Sequence, residues 1–521
     1  MVLIILSERD FDYELQALVT GFFPGQAVKV IVHGEENSAE EPGITLDIIL
    51  GQFKIYADAR TSLYKINYEL DVTGSGNWHK HIDKAAHPYR TYYKNVLKKL
   101  VFCLLRDFPA DMLPDGITKR IPAWGTMTGV RPVKIVMDQV LGGIGLQEIK
   151  KSLEDIYCLD PVKAELAMQI AVCEAKLLAN VDYENGYSLY IGIPFCPTTC
   201  SYCSFTSYPF DRYGSLADAY LDALEKEMEY SSHIFSDRKL TSIYIGGGTP
   251  TSLSAVQLGR LLKSLCKYFP VGNGIEFTVE AGRPDSITEE KLKVIYGYGA
   301  RRISVNPQTM QQKTLDIIGR KHTAIQTVDA FNLARKTGFS NINMDLIIGL
   351  PGEKEEDFAG TLSKIKDLSP DSLTIHSLVV KRASRLRDTD GGYGTAETCK
   401  SLCMENMLDM GQEFARCNGY LPYYMYRQKN SCGHAGSTGQ ENIGYAREGK
   451  ECLYNILIME EKQTILALGA GASTKLYHAC RKQVERIENV KSVDDYIRRI
   501  GEMIGRKKSI YGRLYKEDSG K

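Results

Sequence analysis

The sequence predicts an α/β protein centred on a parallel sheet with crossover helices. Two observations carry this. From Ser188 onward, β-branched and aromatic runs of strand length alternate six times with amphipathic segments of helix length. Strands that follow one another through a helix are parallel neighbours in one sheet. A further observation places the chemistry. The apolar run Ser188–Ile193 stops at Pro194, and Cys196, Cys200 and Cys203 follow at once in IPFCPTTCSYC. Parallel α/β sheets gather function at the C-terminal ends of their strands, where these cysteines fall.

The totals bound the rest. A chain of 521 residues exceeds one ordinary core and predicts two or three domains. Lys+Arg and Asp+Glu number 64 each, so no net charge points to nucleic acid or to an acidic lipid surface as the main partner. The N-terminal MVLIILSERDFD has a short apolar run and no cationic lead, which reads as a strand and not a signal peptide. No segment reaches membrane-spanning length. Thirteen scattered cysteines in such a chain read as reduced thiols of a cytoplasmic protein.

Taken in order, residues 1–85 predict a small α+β module with strands in VKVIVHG, ITLDIIL and FKIYADAR. His79, His81 and His87 surround Trp78 there, but with no acid or cysteine at a matching interval they read as loop residues. Residues 86–182 turn helical. Leu97, Leu100, Val101, Leu104 and Leu105 share one face, and Val162, Leu166, Ile170, Cys173 and Leu177 share another. Cys103, Cys158 and Cys173 are expected to pack as small apolar residues. Between these helices, WGTMTGVRPVK (124–134) reads as a loop entering a helix. Arg131 or Lys134 could meet a carboxylate there, but a structural turn is favoured.

Residues 183–390 hold the six strand–helix units. The strands are SLYIGI, TSIYIGG, IEFTVEA, RRISVNP, NINMDLIIG and SLTIHSL, with helices expected over 216–230, 255–269, 289–298, 325–337 and 356–366. Residues 391–521 form a further domain. DTDGGYGTAE (388–397) reads as a flexible loop before a helix over 400–417, then short strands and a last helix over 493–505. Cys432 and His434 lie in the Gly-rich SCGHAGSTGQ and read as surface-loop residues.

The C-x3-C-x2-C spacing lets three thiolates converge on one inorganic centre, the bland alternatives being a zinc site and a reduced loop that happens to be Cys-rich. Cubane iron–sulfur clusters usually take four, so three leave one iron open. Structural zinc would need four closed ligands, and no second pair is near. Followed by an aromatic before the last cysteine, this loop resembles the C-x3-C-x-aromatic-C signature of radical S-adenosylmethionine (SAM) enzymes. The lead-in YIGIPFC is similar to that of the oxygen-independent coproporphyrinogen III oxidase (dehydrogenase) group, and WGTMTGVRPVK to the N-terminal extension of its HemZ-type branch. The resemblance implies a partial (β/α)6 barrel with an N-terminal α+β and helical extension and a C-terminal α+β covering domain.

It also implies a [4Fe–4S] cluster on Cys196, Cys200 and Cys203, with SAM on the open iron. The Gly246-Gly247-Gly248-Thr249 turn lets backbone approach a ligand without a Cβ in the way, and resembles the motif that takes the SAM amino group. Glu280, at a strand end, can accept from ribose hydroxyls or an ammonium. Gln308 and Arg320 keep the spacing of a SAM-contacting pair, the Arg320 fork suiting the SAM carboxylate. Asp345, a lone acid in an apolar run, needs a partner and reads as a ribose or polar-network residue. Tyr190 corresponds to a tyrosine reaching the cluster and SAM, Tyr202 to the aromatic near adenine. Tyr454-Asn455 and the Gly469–Ala472 turn resemble the covering domain over the barrel mouth.

The implied reaction passes one electron from an unidentified low-potential donor into SAM. The resulting 5′-deoxyadenosyl radical takes hydrogen from a propionate β-carbon of coproporphyrinogen III. Loss of CO2 and a further electron leaves a vinyl group, twice over, giving protoporphyrinogen IX. Two features depart from that pattern: Ser204-Phe205 after the last cysteine, and Gly192 where the oxidases carry His. The Cys-x-Phe ending is similar to haem chaperones, which deliver haem instead. Their HNxxYW motif corresponds to Tyr454–Met459, which lacks its His, Tyr and Trp.

Overall fold

A computed structural model describes residues 1–35, 41–72, 89–379, 397–428, 441–479 and 483–508, with the side chains of 397–402 excepted. His79, His81, His87, Cys432, His434 and most of the 388–397 loop lie outside the described residues. The chain packs as two compact units, Met1–Val172 with two short later segments, and most of the chain from Cys173 onward.

The first unit holds a five-stranded sheet: β1 (Val2–Leu6), β2 (Val28–Val32), β3 (Ile44–Leu50), β4 (Lys54–Arg60) and β5 (Lys65–Asp71). Their order is β2-β1-β3-β4-β5, parallel over the first three and antiparallel beyond. Helices Asp12–Phe22 and Tyr89–Asp107 close one face. Leu97, Leu100, Val101, Leu104 and Leu105 pack, as their spacing predicts, among Val2, Ile4, Leu46, Ile48 and Phe22. Each such side chain contributes roughly 1.5–3 kcal/mol on burial.

The WGTMTGVRPVK run is the structural turn expected. Trp124 is buried, and its indole N–H donates to Glu441 Oε1 at 2.7 Å. The Arg427 guanidinium donates to Met127 O at 2.5 Å. Gly125 is required: at φ 52°, a Cβ there would lie 2.1 Å from Tyr157 O. The helix Pro161–Leu178 corrects one expectation. Val162 is exposed, and the buried face runs instead through Ala164, Ala167, Ala171 and Leu178 together with Leu166 and Ile170. Small alanines, invisible to a count of large apolar residues, let neighbouring backbone approach this face.

The second unit is built on β6 (Gly186–Ile193), β7 (Phe195–Cys196), β8 (Tyr208–Pro209), β9 (Lys239–Gly247), β10 (Glu276–Gly282), β11 (Arg302–Val305), β12 (Asn341–Ile348), β13 (Ser372–Ser377), β14 (Leu421–Arg427), β15 (Glu441–Ala446), β16 (Thr464–Leu468), β17 (Ser473–His478) and β18 (Gln483–Glu488). The sheet order is β14-β15-β13-β12-β11-β10-β9-β6-β16-β17-β18. The six predicted strands β6, β9, β10, β11, β12 and β13 therefore stand side by side in chain order, all parallel. Crossover helices fall where the periodicity places them, at Ala217–Ile234, Ala255–Tyr268, Glu289–Gly297, Ala324–Thr337 and Glu355–Leu368. Reciprocal capping boxes, Ser254 with Gln257 and Thr323 with Gln326, set the starts of two of them.

The sheet does not stop at β6. β16 joins it in parallel, pairing Thr464–Leu468 with Tyr187–Ile191, so the first barrel strand has no open edge. Behind this junction the buried Glu227 carboxylate accepts from Lys507, from Tyr496 OH at 2.5 Å and from Gly469 N–H at 2.8 Å, fastening the C-terminal helices to helix Ala217–Ile234.

Each parallel strand alternates. Leu189, Ile191, Ile243, Ile245, Val279, Ile303, Ile342 and Leu346 are fully buried or nearly so. The intervening positions are polar and fall in register: Tyr190 beside Tyr244, Glu280 beside Ser304, Ser304 beside Asn343, Asp345 beside Thr374. Strands covered on both faces usually read as continuous apolar runs. This polar inner face marks a surface meant to meet something polar.

Candidate functional site

The cysteine loop is held at both ends. The pair β7–β8 and the bond from Tyr208 N–H to Pro194 O at 2.8 Å close its base. Cys203 N–H donates to Cys200 O at 3.2 Å, and Ser201 N–H reaches Ile318 O at 3.1 Å. Ile318 stands two residues before Arg320, so one backbone contact brings the loop to the predicted arginine. The Arg320 guanidinium donates to Asn306 O at 2.5 Å and to Tyr202 OH at 3.1 Å. The Tyr202 ring packs against Leu315, Ile318, Ile347, Leu350 and Leu378.

The glycine turn abuts the same loop. Gly248 N–H donates to Ile193 O and Thr249 N–H to Phe195 O, each at 2.7 Å, and Thr249 Oγ1 lies 3.5 Å from Cys196 Sγ. A Cβ on Gly246 would sit 2.5 Å from Glu280 Oε2, and one on Gly248 2.6 Å from Phe195 O. Gly247 has φ 103° and its N–H faces Glu280 Oε2 at 3.3 Å. Gln308, also at positive φ, is fixed by Gln308 N–H to Asp345 O and Ile347 N–H to Gln308 O, both 2.9 Å. Tyr244 and Tyr454 stack with ring centroids 4.6 Å apart, Tyr190 lies beside both at 6.3 and 6.2 Å, and the helix Leu453–Glu460 that carries Tyr454 is capped by the Glu276 carboxylate. All the predicted residues thus stand around one end of the parallel strands.

Residues 190–365 match the radical SAM superfamily. The chain is 40% identical to the oxygen-independent coproporphyrinogen-III oxidase-like protein HemZ of Bacillus subtilis, over 73% of its own length and 75% of that protein. The chain belongs to this HemZ-type family of radical SAM proteins. It is also 38% identical to the haem chaperone HemW of B. subtilis, over 37% of its length and 51% of that protein. With the oxygen-independent coproporphyrinogen III oxidase of Salmonella typhimurium it shares 31% identity, over 44% of its length and 50% of that protein. It thus spans about half the length of these last two relatives.

Membership in the HemZ-type family implies a [4Fe–4S] cluster and SAM, and the site can be tested for both. Cys196, Cys200 and Cys203 are unbridged thiols on one loop. Burial pushes the Cys196 thiol up to about 12, partly offset by Thr249, and pushes Cys203 up as well. Buried thiols of this kind ionise only with a cationic partner or a metal, which coordinates the thiolate outright. Beside them, Thr278 Oγ1, Ser304 Oγ, Asn306 Oδ1, Gln308 Oε1 and Arg320 Nε are buried without a partner among the described residues. Buried polar atoms are almost always paired. Five orphans on one polar face fit a polar ligand such as SAM.

Within this HemZ-type site, burial together with Asp345 lifts the Glu280 carboxyl to about 7, against the Gly247 N–H and His376, which lower it. Asp345 is buried too, yet the neighbouring His376 and a hydrogen bond from Asn343 at 2.8 Å hold its carboxyl below the ordinary value. Two residues that the sequence reading passed over belong here. Arg283 donates to Thr198 Oγ1 at 2.7 Å and lies 3.8 Å from Cys200 Sγ, its other side paired with Asp285 at 2.5 Å. His376 has Nδ1 at 3.1 Å from Asn442 Oδ1 and Nε2 at 3.9 Å from Asp345 Oδ1. A signal for His376 existed: it is the polar residue in phase with the inner face of SLTIHSL. Arg283 had none, because its target lies more than eighty residues back.

Proposed function

We propose that this protein carries out radical SAM oxidative decarboxylation of coproporphyrinogen III, turning two propionate side chains into vinyl groups of protoporphyrinogen IX. The supporting observation is three unbridged thiols carried on one loop, next to five orphaned polar atoms, at one end of a parallel sheet. The tetrapyrrole substrate rests on the names of the HemZ and coproporphyrinogen oxidase relatives.

A cluster on Cys196, Cys200 and Cys203, with SAM on its open iron, would supply one-electron cleavage of SAM and the abstraction of hydrogen that begins the reaction. The protein's own residues bind and orient. In this reading the Gly246–Thr249 turn accepts the SAM amino group, Arg320 takes the carboxylate, and Glu280, Gln308 and Asp345 hold the ribose end. Tyr202 lies beside adenine. The Tyr190, Tyr244 and Tyr454 rings wall the inner face and exclude water, which keeps a reactive substrate carbon away from competing hydrogen donors.

Glu280 makes SAM binding depend on pH. SAM is a sulfonium cation and favours the ionised carboxylate, so binding releases the proton that Glu280 holds near pH 7. Affinity therefore rises with pH. At pH 6 about nine-tenths of the carboxyl is protonated, so the Kd for SAM is expected to fall about tenfold between pH 6 and pH 8. Calorimetry in buffers of different ionisation enthalpy reads both Kd and proton release. A flat profile in the native protein, or a slope retained in Glu280→Gln, would remove Glu280 from the site.

A second reading is haem delivery, favoured by Cys203-Ser204-Phe205, with Phe205 73% exposed beside the thiols, and by the HemW match. An anaerobic assay with SAM, reductant and coproporphyrinogen III separates the two. The expected result is 5′-deoxyadenosine appearing in step with loss of two CO2 from the tetrapyrrole. SAM cleavage without decarboxylation, together with stoichiometric haem binding, would replace the synthase by the chaperone.

A further inference from the structure

The strand that carries Glu280 ends in a cation to which the SAM-binding roles above give no task. β10 stops at Gly282, and Arg283-Pro284-Asp285 follow at once. The pairing of β10 with β11 slips by one residue between Glu280 and Gly282, and Gly282 is left-handed at φ 64°. An extra residue of this kind bends a strand and re-aims the side chains beyond it. Pro284, with its fixed φ, then opens a single 3₁₀ turn, Pro284–Ser286.

Arg283 is thereby buried, at 3% exposure, and tightly held. Asn306 N–H donates to Gly282 O at 2.7 Å, while Ser286 N–H and Oγ–H donate to Arg283 O at 3.0 and 2.8 Å. The side chain is fixed as firmly. Nε and Nη2 donate to the two oxygens of Asp285 at 2.9 and 2.5 Å, a two-pronged pair that sets the plane of the fork. Nη1 is left to face the cysteine loop. It donates to Thr198 Oγ1 at 2.7 Å and Thr198 O at 3.3 Å, and it reaches Cys200 Sγ at 3.8 Å.

A guanidinium gives up no proton at any working pH, so Arg283 is neither a general acid nor a base. Its charge and its N–H groups are constant. They act on whatever negative charge gathers at the Cys200 sulfur. Asp285 works against them. Burial pushes the Asp285 carboxyl up, but its bonds with Arg283 hold it below the ordinary value, so it is ionised at neutral pH. The cation at the cysteine loop thus comes with a built-in counter-charge.

We propose that Arg283, opposed by Asp285, sets the reduction potential of the iron–sulfur cluster through its N–H and its charge at Cys200. This rests on the radical SAM reading above only through the cluster, and not on the tetrapyrrole. One electron enters the cluster from the low-potential donor and adds one negative charge. No proton moves and no bond in the protein breaks. Hydrogen bonds to the sulfurs and net charge nearby tune such potentials. A donor with positive charge at a ligand sulfur favours the reduced state and raises the potential. A carboxylate behind it lowers the potential again. The pair therefore offers two handles of opposite sign on one quantity.

The test is an anaerobic redox titration of the full-length, cluster-reconstituted protein without SAM. Titanium(III) citrate is the reductant, and electron paramagnetic resonance of the reduced cluster is the readout. In Arg283→Gln the ratio of reduced to oxidised cluster at a fixed potential is expected to fall about tenfold, a drop of about 59 mV for one electron. Asp285→Asn keeps the shape of the carboxylate and one acceptor, and is expected to raise the midpoint. Iron and acid-labile sulfide per chain are expected to match the native protein in both. Distortion of the loop alone would shift both midpoints the same way. If Arg283→Gln fails to hold a cluster, the Asp285→Asn midpoint decides alone: a rise supports the proposal, and an unmoved or lowered value overturns it. Unmoved midpoints, or shifts of one sign in both variants, likewise overturn it while leaving the radical SAM reading in place. A native protein that takes up no iron on reconstitution would overturn both.

Discussion

Cys200→Ser is expected to abolish SAM cleavage, by on the order of 10³-fold or more, a loss of about 4 kcal/mol or more in barrier. Cys200 is buried and faces two guanidiniums, Arg283 at 3.8 Å and Arg320. An alcohol of the same shape stays protonated at neutral pH, so the loop would offer two anionic ligands where the spacing supplies three. The loop itself is tied by backbone, through Cys203 N–H to Cys200 O and Ser201 N–H to Ile318 O, and neither bond needs the sulfur. Folding is therefore expected to survive, with Tm within about 3 °C of the native protein, the shift of a substitution costing under ~1 kcal/mol. Iron and acid-labile sulfide per chain, measured after anaerobic reconstitution, give a readout besides activity. Full iron content with undiminished SAM cleavage in Cys200→Ser would mean that the centre is held elsewhere.

The parallel core was legible because its outward rows obey a simple rule. Leu189, Ile191, Ile243, Ile245, Ile303 and Ile342 recur at strand spacing, and each strand is followed by a helix of matching period. The cysteine loop was legible because its ligands are adjacent in sequence. What escaped depends on distance or on moderation. β16 comes to lie beside β6 from nearly three hundred residues away, and no local pattern distinguishes TILAL from any short buried strand. β5 alternates exposed and half-buried residues, Lys65 to Asp71, with too little apolar content to stand out. Helix Asp12–Phe22 carries Leu15, Leu18, Val19 and Phe22 at helical spacing, but it is short and ends beside Gly21. Within the site, the polar inner face was the neglected signal: Asn341, Asn343 and Asp345 alternate with Ile342, Met344 and Leu346 along one strand.

Arg320→Lys tests whether that inner face binds SAM through geometry as well as charge. The Arg320 fork divides its donors: one terminal nitrogen serves Asn306 O at 2.5 Å, the other Tyr202 OH at 3.1 Å, and Nε has no partner among the described residues. A planar guanidinium can hold these contacts and still present N–H groups to a carboxylate, while an ammonium on a flexible stem cannot span them. Lysine keeps the charge, so a purely electrostatic role would be nearly unaffected. If the fork is the recognition element, Kd for SAM is expected to rise about 30-fold, equivalent to about 2 kcal/mol, with iron content unchanged. Tyr202, having lost its donor, would also loosen from its packing on Ile318 and Ile347, and adenine contacts would weaken with it. Equilibrium binding of SAM to the reconstituted Arg320→Lys protein decides the matter. An unchanged Kd would confine Arg320 to holding the cysteine loop, and would move the carboxylate site toward Arg283, the other guanidinium against Cys200.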